Sequence, residues 1–260
     1  MARITVSAEK TSMKALRAMG DPKSLGNRHY PMRHDVLLDI VDETLKQQKH
    51  HVSKKEHFIS HGGIRMYTSY ILGEAKGKDD FSMAMAVTGA QDRTSSAKIM
   101  FGTNIFICAN GCYSGEVVLR RKNTMNALDE LPEIVDKGVH MAGISYKRDS
   151  AFLEGWKRTE ITSEQQKSFL FDVMMSGLLP RSHVLDKVFP LLETPTYEEH
   201  RKDTVYAMHN SFTEAHKTRV RNNPTPASEE LIRLDQMFKE CFPVEKADGI
   251  VIPDEFLHVS

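Results

Sequence analysis

The sequence has few cysteines, and it lacks the long apolar runs that would indicate a membrane or secreted protein. Cys108, Cys112 and Cys241 are the three cysteines among 260 residues. They are an odd number and too few for a disulfide framework, which is typical of a reducing compartment. No run of about eighteen apolar residues is present, and the N-terminus has no apolar segment of the signal-peptide kind. We therefore expect a cytoplasmic protein that has no membrane partner.

The motifs of several enzyme classes are absent as well. GxxxxGK[ST], GxGxxG and GxSxG do not occur, so ATP-driven, dinucleotide-dependent and esterase chemistries lack their usual signatures. The twelve histidines include no HExxH, and Cys108 and Cys112 flank a predicted turn without a second pair, a poor match to zinc frameworks. We predict no catalytic residue, no metal and no cofactor. Most histidines, including His57 and His61, are expected at the surface or at polar strand positions.

The charges balance over the whole chain but not along it. Lysine and arginine together number 35, as do aspartate and glutamate. From Glu229 to Ser260, eight acidic residues stand against three basic ones, so this segment carries −5 and residues 1–228, with 32 basic and 27 acidic groups, carry +5. A mildly basic body with an acidic tail can steer or self-regulate binding to a polyanion. The tail either docks on a partner protein or folds over the body, and composition leaves both open.

Between residues 51 and 121, strand-like runs alternate with turn residues, which predicts an antiparallel sheet. Gly62-Gly63, which accepts the positive φ angles of a tight hairpin, separates two such runs at His51–Ser60 and Ile64–Gly73. From Phe81 to Thr88, bulky and small side chains alternate, so the face with small side chains should accept a closely packed neighbour. The run Lys98–Ala109 is predicted to be a central strand.

Helices are predicted before the sheet and throughout the rest of the chain. An amphipathic helix spans about Arg33 to Gln48, where apolar residues recur at helical spacing. The order of elements predicts an α+β fold with an antiparallel sheet in the N-terminal half and a helical C-terminal half. The later helices are expected at Leu128 to about Trp156, from a capping box at Thr162–Gln165 to Met175, at His200–Arg219, and after a cap at Ser228.

This order divides the chain into four parts. Residues 1–27 form an N-terminal arm, 28–125 a helix plus an antiparallel sheet core, 126–222 a helical region packed on the sheet, and 223–260 a C-terminal helix and acidic tail.

Two motifs resemble a phage- and plasmid-encoded protein family that shares a domain of unknown function. The first is TNIFICANG at Thr103–Gly111, preceded by the polar turn GAQDRTSSAK, and the second is DTVYAMHNSFTEAHK at Asp203–Lys217. Tyr206 and His209 stand where the family commonly has Trp and Tyr, so the chain resembles a divergent member over residues 28–219. The resemblance implies a mobile-element origin and a role in DNA metabolism, and it implies no particular reaction. In the first motif the matching positions are Asp92, Ser95, Cys108 and Asn110.

The order of helix, antiparallel strands and helix is also similar to the core of single-strand-annealing recombination proteins, which generally work as multimers. Basic and aromatic residues share the predicted strands, and single-stranded DNA is bound by this combination, since each stacked base is worth about 1–3 kcal/mol and cations follow the phosphates. We predict a non-enzymatic, homo-oligomeric protein of a phage or other mobile element that binds, and possibly anneals, single-stranded DNA in replication or recombination, in the host cytoplasm. The predicted binding residues are Arg65, Tyr67, Tyr70, Tyr113, Arg120 and Arg121 on the sheet, with Lys147, Arg148, Lys157 and Arg158 on helices.

Other interpretations of the same residues stay open. The tyrosines can simply pack the sheet while the charged residues surround its rim. The acidic tail suits a protein-interaction factor that inhibits or redirects a host protein. A metal-dependent nuclease would use Glu74 and Lys76 at a strand end, with Asp79, Asp80 or Asp92 as a second carboxylate, although GEAKGKDD is also typical of a solvated hairpin loop.

Overall fold

The computed structural model describes residues 8–73, 81–105, 110–112, 118–122, 124–200, 203–222 and 224–248. Within these residues the chain forms a seven-stranded antiparallel sheet in the order β1-β2-β3-β4-β5. The short strands β6 and β7 both pair with the outer edge of β5, each with a different stretch of it. The strands are β1 (Glu9–Thr11), β2 (Val52–Ser60), β3 (Arg65–Leu72), β4 (Phe81–Ala90), β5 (Ala97–Ile105), β6 (Asn110–Cys112) and β7 (Val118–Arg121).

Two helices lie between β1 and β2, and helices make up most of the described chain after β7, so the predicted α+β fold is confirmed. A π-helical turn at Val184–Val188 joins α5 to α6, and a 3-10 turn at Glu198–His200 precedes α7. The helices are α1 (Met13–Arg17), α2 (His34–Gln47), α3 (Ala127–Trp156), α4 (Ser163–Met175), α5 (Arg181–His183), α6 (Phe189–Glu193), α7 (Val205–Asn222), α8 (Pro224–Cys241) and α9 (Glu245–Asp248).

The predicted hairpin between β2 and β3 is confirmed. Gly62 and Gly63 have φ angles of +66° and +88°, values at which a Cβ atom is strongly disfavoured. The Gly63 amide donates to the carbonyl of Ser60 at 3.1 Å, which closes the turn. A Cβ built on Gly63 would meet only the flexible end of the exposed Met19 side chain, which can move away, so the φ angle is the reason for glycine at this position.

One face of the sheet packs on helices α2 and α3. Leu37 and Val41 of α2 and Leu131 of α3 form a core cluster with sheet residues such as Met85 and Ile99. α3 is continuous over 30 residues, a length of about 45 Å at 1.5 Å per residue. Its second half belongs to another core, which it builds with α4 and the helices that follow. A single helix therefore joins the sheet layer to the helical half.

The opposite face of the sheet carries the small side chains predicted for β4, and α8 packs against them. Ala84 and Ala86 lie in a small cluster with Met100 of β5 and Ile232 of α8. Because alanine side chains leave the pleated surface low, a helix can approach it closely. Helices therefore cover at least part of both faces of the sheet, and this sets the location of the candidate site.

Several helix boundaries differ from the sequence prediction. Helix α8 begins at Pro224, and Ser228 is a buried residue within it, so the prediction of a Ser228 cap is wrong. Proline is well tolerated in the first turn of a helix, where its missing N–H would have no partner. The preceding helix begins at Val205 instead of His200. The capping box is confirmed, because the Gln165 amide donates to Thr162 Oγ1 at 3.2 Å.

Candidate nucleic-acid interface

The face of the sheet that α8 partly covers carries a continuous row of paired residues. Directly paired residues of antiparallel strands project to the same face. Five successive strand pairings link one residue from each of six strands, which spans about 24 Å at 4.8 Å per strand. We call these residues the cross-strand row: Lys10 (β1), Phe58 (β2), Tyr67 (β3), Thr88 (β4), Lys98 (β5) and Arg120 (β7).

The middle of the row, from Phe58 to Lys98, lines a cleft between the sheet and the start of α8. The cleft has a volume of about 230 Å³, and residues of β2–β5 line it together with Pro226 and Glu229 of α8. Pockets for drug-sized ligands are typically about 300–1,000 Å³. The cleft is therefore better matched to a phosphate group or a single base than to a whole cofactor.

Lys98 lies deep in this cleft and is paired with α8. Its side chain is 12% exposed, and its Nζ atom donates to Oε1 of Glu229, whose side chain is 37% exposed. The pair therefore joins strand β5 to helix α8, with the cation on the buried side and the carboxylate nearer the solvent. Beside it, the Thr88 hydroxyl is buried and has no hydrogen-bond partner within the described part of the chain.

Arg65 is a second cation of the cleft, and its pairing is weak. It lies two residues from Tyr67 on β3 and so projects to the same face. Its guanidinium lies 3.4 Å from Oδ2 of Asp92, which is long for a charge-assisted hydrogen bond. The buried Nε atom of Arg65 has no hydrogen-bond partner among the residues described. Since a guanidinium has five N–H donors and the Arg65 side chain is 38% exposed, its outer N–H groups are available for an anion.

The carboxylate next to Arg65 is held mainly by its own turn. Asp92 Oδ1 accepts the amide of Thr94 at 3.1 Å and the Thr94 hydroxyl. Burial opposes ionisation of Asp92, but the hydrogen bonds from Thr94 and the charge of Arg65 outweigh it, so the pKa of this carboxyl is lowered. Asp92 therefore stays ionised through contacts that do not depend on Arg65 alone.

Tyr67 and Tyr70 do not form the predicted aromatic stacking surface, and this part of the prediction is wrong. Tyr67 is only 5% exposed and packs against Phe58, with ring centroids 6.3 Å apart. Tyr70 is 1% exposed and lies on the opposite face, in the core shared with α2 and α3. Residues three apart on a strand project to opposite faces, and helices cover both faces here. These two rings therefore cannot form one exposed platform.

The other predicted sheet residues are also divided between the two faces of the sheet. Arg120 is exposed, belongs to the cross-strand row, and has no ion-pair partner within the described ranges. Arg121 points to the other face, where it forms an ion pair with Glu130 of α3 at 2.6 Å. Tyr113 lies outside the described residues. Of the six sheet residues predicted, Arg65, Tyr67 and Arg120 share one face.

The predicted helical cations belong to the helical half of the molecule. Arg148 lies over the ring of Phe152, with its guanidinium carbon 6.0 Å from the ring centroid. Lys157 forms an ion pair with Glu154 at 2.8 Å and lies over Tyr206, 5.4 Å from the ring centroid. The neighbouring residues Lys147 and Arg158 are exposed on the same helical segment. Arg148 on α3 and Lys157, directly after its end, therefore lie over aromatic rings. Their predicted phosphate contacts stay a prediction.

The first half of the acidic segment is part of the body. Glu229 pairs with Lys98, and Asp235 pairs with Lys239 at 2.8 Å. Glu230 accepts hydrogen bonds from His216 at 2.9 Å and from Arg219 Nε at 3.0 Å. Burial opposes ionisation of Glu230, but these hydrogen bonds outweigh it and lower the pKa of the carboxyl. Residues 249–260, which include the apolar end of the predicted tail, lie outside the described residues.

The other predicted sites are only partly covered by the structure. Glu74, Lys76, Asp79, Asp80 and Cys108 lie outside the described residues. Within the described ranges, no three histidine, cysteine or acidic side chains are placed to hold a metal ion.

The two histidines near the hairpin differ in exposure. His57 is buried on β2, where its Nδ1 atom lies 2.9 Å from the Thr68 hydroxyl, while His61 is exposed as expected. Among the described residues, no helix combines the length and the apolar character needed to cross a bilayer.

Four residues of the cross-strand row were not predicted as site residues: Lys10, Phe58, Thr88 and Lys98. Their position depends on strand register, and register depends on the lengths of the turns and on β1, a three-residue strand with a weak sequence signal. Comparisons with family models, with curated proteins and with solved structures found no match. The resemblance to phage and plasmid proteins therefore stays a prediction.

Proposed function

We propose that this protein binds single-stranded DNA along the cross-strand row and the cleft beside it. The observation that carries the proposal is Arg65, a cation with unused donors that shares one sheet face with Tyr67 and Lys98. Cationic grooves that contain aromatic rings suit single strands, since phosphates contact the cations and a base can pack on a ring edge or face. Arg120 extends the positive charge to the outer edge of the sheet.

Affinity for DNA would arise here from phosphate contacts and not from the stacking of bases on an aromatic surface. Because Tyr67 is almost sealed, successive bases cannot stack over a wide aromatic surface. Phosphate contacts from Arg65, Lys98 and Arg120 would supply most of the affinity, so binding should be weak at high salt and tolerant of base sequence. The proposed setting, replication or recombination in a phage or other mobile element, rests on the resemblance of residues 28–219.

Fluorescence anisotropy with a labelled oligonucleotide tests the proposal. We expect binding at low salt, with a slope of log affinity against log salt that falls by about 0.7 for each phosphate contact removed. Arg65→Gln and Arg120→Gln should each weaken binding and reduce this slope. Arg121→Gln is the matched control, because the neighbouring Arg121 faces the other side of the sheet and pairs with Glu130. Absence of binding at low salt, or equal losses for Arg120→Gln and Arg121→Gln, would refute the proposal.

A second candidate function is protein–protein interaction, and an apolar surface of the helical half favours it. Phe171 and Met175, one helical turn apart on α4, are each 58% exposed, and Leu185 and Phe189 are also exposed on the following helical segment. Exposed apolar patches often mark interaction surfaces. This surface would also suit the self-association that the similarity to annealing proteins implies.

Sedimentation velocity and capture experiments separate these possibilities. If the apolar surface joins copies of the chain, Phe171→Asp should reduce the sedimenting mass. If it binds a host factor, capture of that factor should survive nuclease treatment and be lost in Phe171→Asp. Tyr30→Asp, a change at an exposed aromatic outside the helical half, is the control. A Phe171→Asp protein that keeps both its mass and its captured partner would refute this candidate.

A further inference from the structure

The contact between Lys98 and Glu229 places an acidic group where a phosphate would bind. The carboxylate of Glu229 lies on the solvent side of the buried Nζ atom of Lys98, as their exposures of 12% and 37% indicate. An anion that enters the cleft from solvent would therefore meet Glu229 before it meets Lys98. Carboxylate and phosphate oxygens accept the same charge-assisted hydrogen bonds from an ammonium group.

We propose that Lys98 is a phosphate-binding residue and that Glu229 occupies its phosphate position in the free protein. This inference rests on the proposed function, because the incoming phosphate belongs to the single-stranded DNA. When DNA binds, a phosphate oxygen replaces the Glu229 carboxylate on Lys98 Nζ, and Glu229 turns towards solvent. Glu229 thus acts as an internal competitor that lowers affinity and helps to exclude weaker anions.

Two features of the cleft favour this exchange over simple repulsion of DNA by Glu229. The Glu229 carboxylate is partly exposed, with 37% of its side chain accessible, so water and counterions screen its attraction to Lys98 more than in a fully buried pair. The Thr88 hydroxyl, which is directly paired with Lys98 across the strands and has no partner among the residues described, can donate to the same phosphate. Arg65 also lines the cleft. It lies about 12 Å from Lys98 between Cα atoms, given two strand spacings and two residues along a strand.

The exchange also assigns a role to the position of α8. Glu229 is brought to Lys98 from 131 positions further along the chain, because Ile232, one turn later, packs on the small side chains of the sheet. The helix therefore holds the competitor in place through an apolar contact that does not involve the charges. Loss of the Glu229 charge should leave α8 on the sheet and leave Lys98 available.

Oligonucleotide titrations of charge variants test the inference. We expect Glu229→Gln to bind a labelled single strand about 3- to 10-fold more tightly than the unmodified chain at the same salt concentration, a gain that corresponds to loss of one weak ion pair. Glu240→Gln is the matched control, because Glu240 is an exposed acid of the same helix and its change alters the net charge equally. It should change affinity by less than about 2-fold by the same reasoning. Urea unfolding of each variant confirms that the fold is kept.

A double-mutant cycle then identifies Lys98 as the group concerned. Lys98→Met should weaken binding, and in the Lys98→Met background Glu229→Gln should give no further gain, because the two residues act as a unit. If the unmodified chain binds but Glu229→Gln and Glu240→Gln behave alike, or the gain persists without Lys98, the inference fails and the proposed function stands. If neither the unmodified chain nor Glu229→Gln binds, both fail.

Discussion

Lys239 provides the sharpest test of what stabilises the helical half. Its ammonium group lies 2.7 Å from Oδ1 of Asp149 on α3 and 2.8 Å from Oδ2 of Asp235 on its own helix, α8. All three side chains are at most 10% exposed. His209 of α7 lies 3.6 Å from the other oxygen of Asp235. The network therefore joins α3, α7 and α8 around one buried cation.

Lys239→Met removes the charge and keeps most of the apolar side chain. Two carboxylates would then remain buried without their shared cation, and removing one partner of a buried ion pair costs about 3–5 kcal/mol. Methionine can still pack on the ring of Phe152, which lies 5.5 Å from the ammonium group, so little of this cost should come from lost packing. We therefore expect the free energy of unfolding at pH 7 to fall by about 3–5 kcal/mol.

The same argument predicts how the cost depends on pH. Burial opposes ionisation of Asp235, but the charge of Lys239 and the hydrogen bond with His209 outweigh it and lower the pKa of the carboxyl. Without Lys239, burial dominates and the pKa should rise above its ordinary value. Protonation then relieves the variant as the pH falls, while the unmodified chain gains nothing in this range. The difference in stability between the two proteins should therefore shrink between pH 7 and about pH 4.5.

Urea unfolding followed by tryptophan fluorescence measures both effects. The single tryptophan, Trp156, is buried in this core, with its ring centroid 5.2 Å from that of His209, so the signal reports on the same region. Lys137→Met is the matched control, since its exposed ion pair with Glu133 should contribute less than about 0.5 kcal/mol. Asp235→Asn in the Lys239→Met background should recover part of the loss. A loss below about 1 kcal/mol at pH 7, or one that does not change with pH, would refute the reasoning.

Three further predictions concern stability. Burial, with neighbouring cations, lowers the pKa of His183 to about 4. The unfolded chain takes up this proton near pH 6.5, so stability should fall between pH 6.5 and 4, by about 1–2 kcal/mol once solvent screening of this half-buried group is allowed for. Urea titrations of His183→Gln should show a smaller fall. Gly63→Ala should cost more than Gly62→Ala, for which about 1 kcal/mol is expected, because a φ angle of +88° lies further outside the left-handed region of L-residues than +66° does; equal thermal shifts would contradict this. Ile232→Ala should lower the free energy of unfolding by about 2–4 kcal/mol, and a cost below about 1 kcal/mol would show that α8 does not depend on this contact.

The elements that the sequence predicted well are those whose signals are local. The hairpin follows from Gly62-Gly63, since the need for positive φ is a property of those two residues. The start of α4 follows from Thr162 and Gln165, which satisfy each other's backbone amides three residues apart. The beginning of α8 was misplaced because Pro224 and Pro226 are compatible both with a break and with a first helical turn. The local sequence allows either a break or a helical turn at these prolines, and the packing of α8 on the sheet selects the helical turn.

The site was harder to predict because it depends on contacts distant in sequence. The period of two places Arg65 and Tyr67 on one strand face and Tyr70 on the other, so the sequence alone already separates these tyrosines. What it cannot show is that helices arriving later in the chain cover both faces and seal the rings. The sequence cannot show the partner of Lys98 either, because Glu229 reaches Lys98 only through the packing of a whole helix. A strand pattern predicts which residues share a face, and only the tertiary structure decides whether that face is open.

The charge asymmetry of the chain acquires a structural meaning from α8. Two of its acidic residues form ion pairs with cations of the basic body: Glu229 with Lys98 of the sheet, and Glu230 with Arg219 of α7. Yet the two contacts differ in kind. Glu230 binds Arg219 through two guanidinium nitrogens and also accepts from the buried His216, so its role is to hold two helices together. Glu229 makes one contact at the mouth of a cleft, where a competing anion can replace it at little cost to the fold. Two adjacent acids of one helix therefore have different roles. Glu230, which is bound by both His216 and Arg219, contributes to stability, whereas Glu229, which is bound by Lys98, regulates binding.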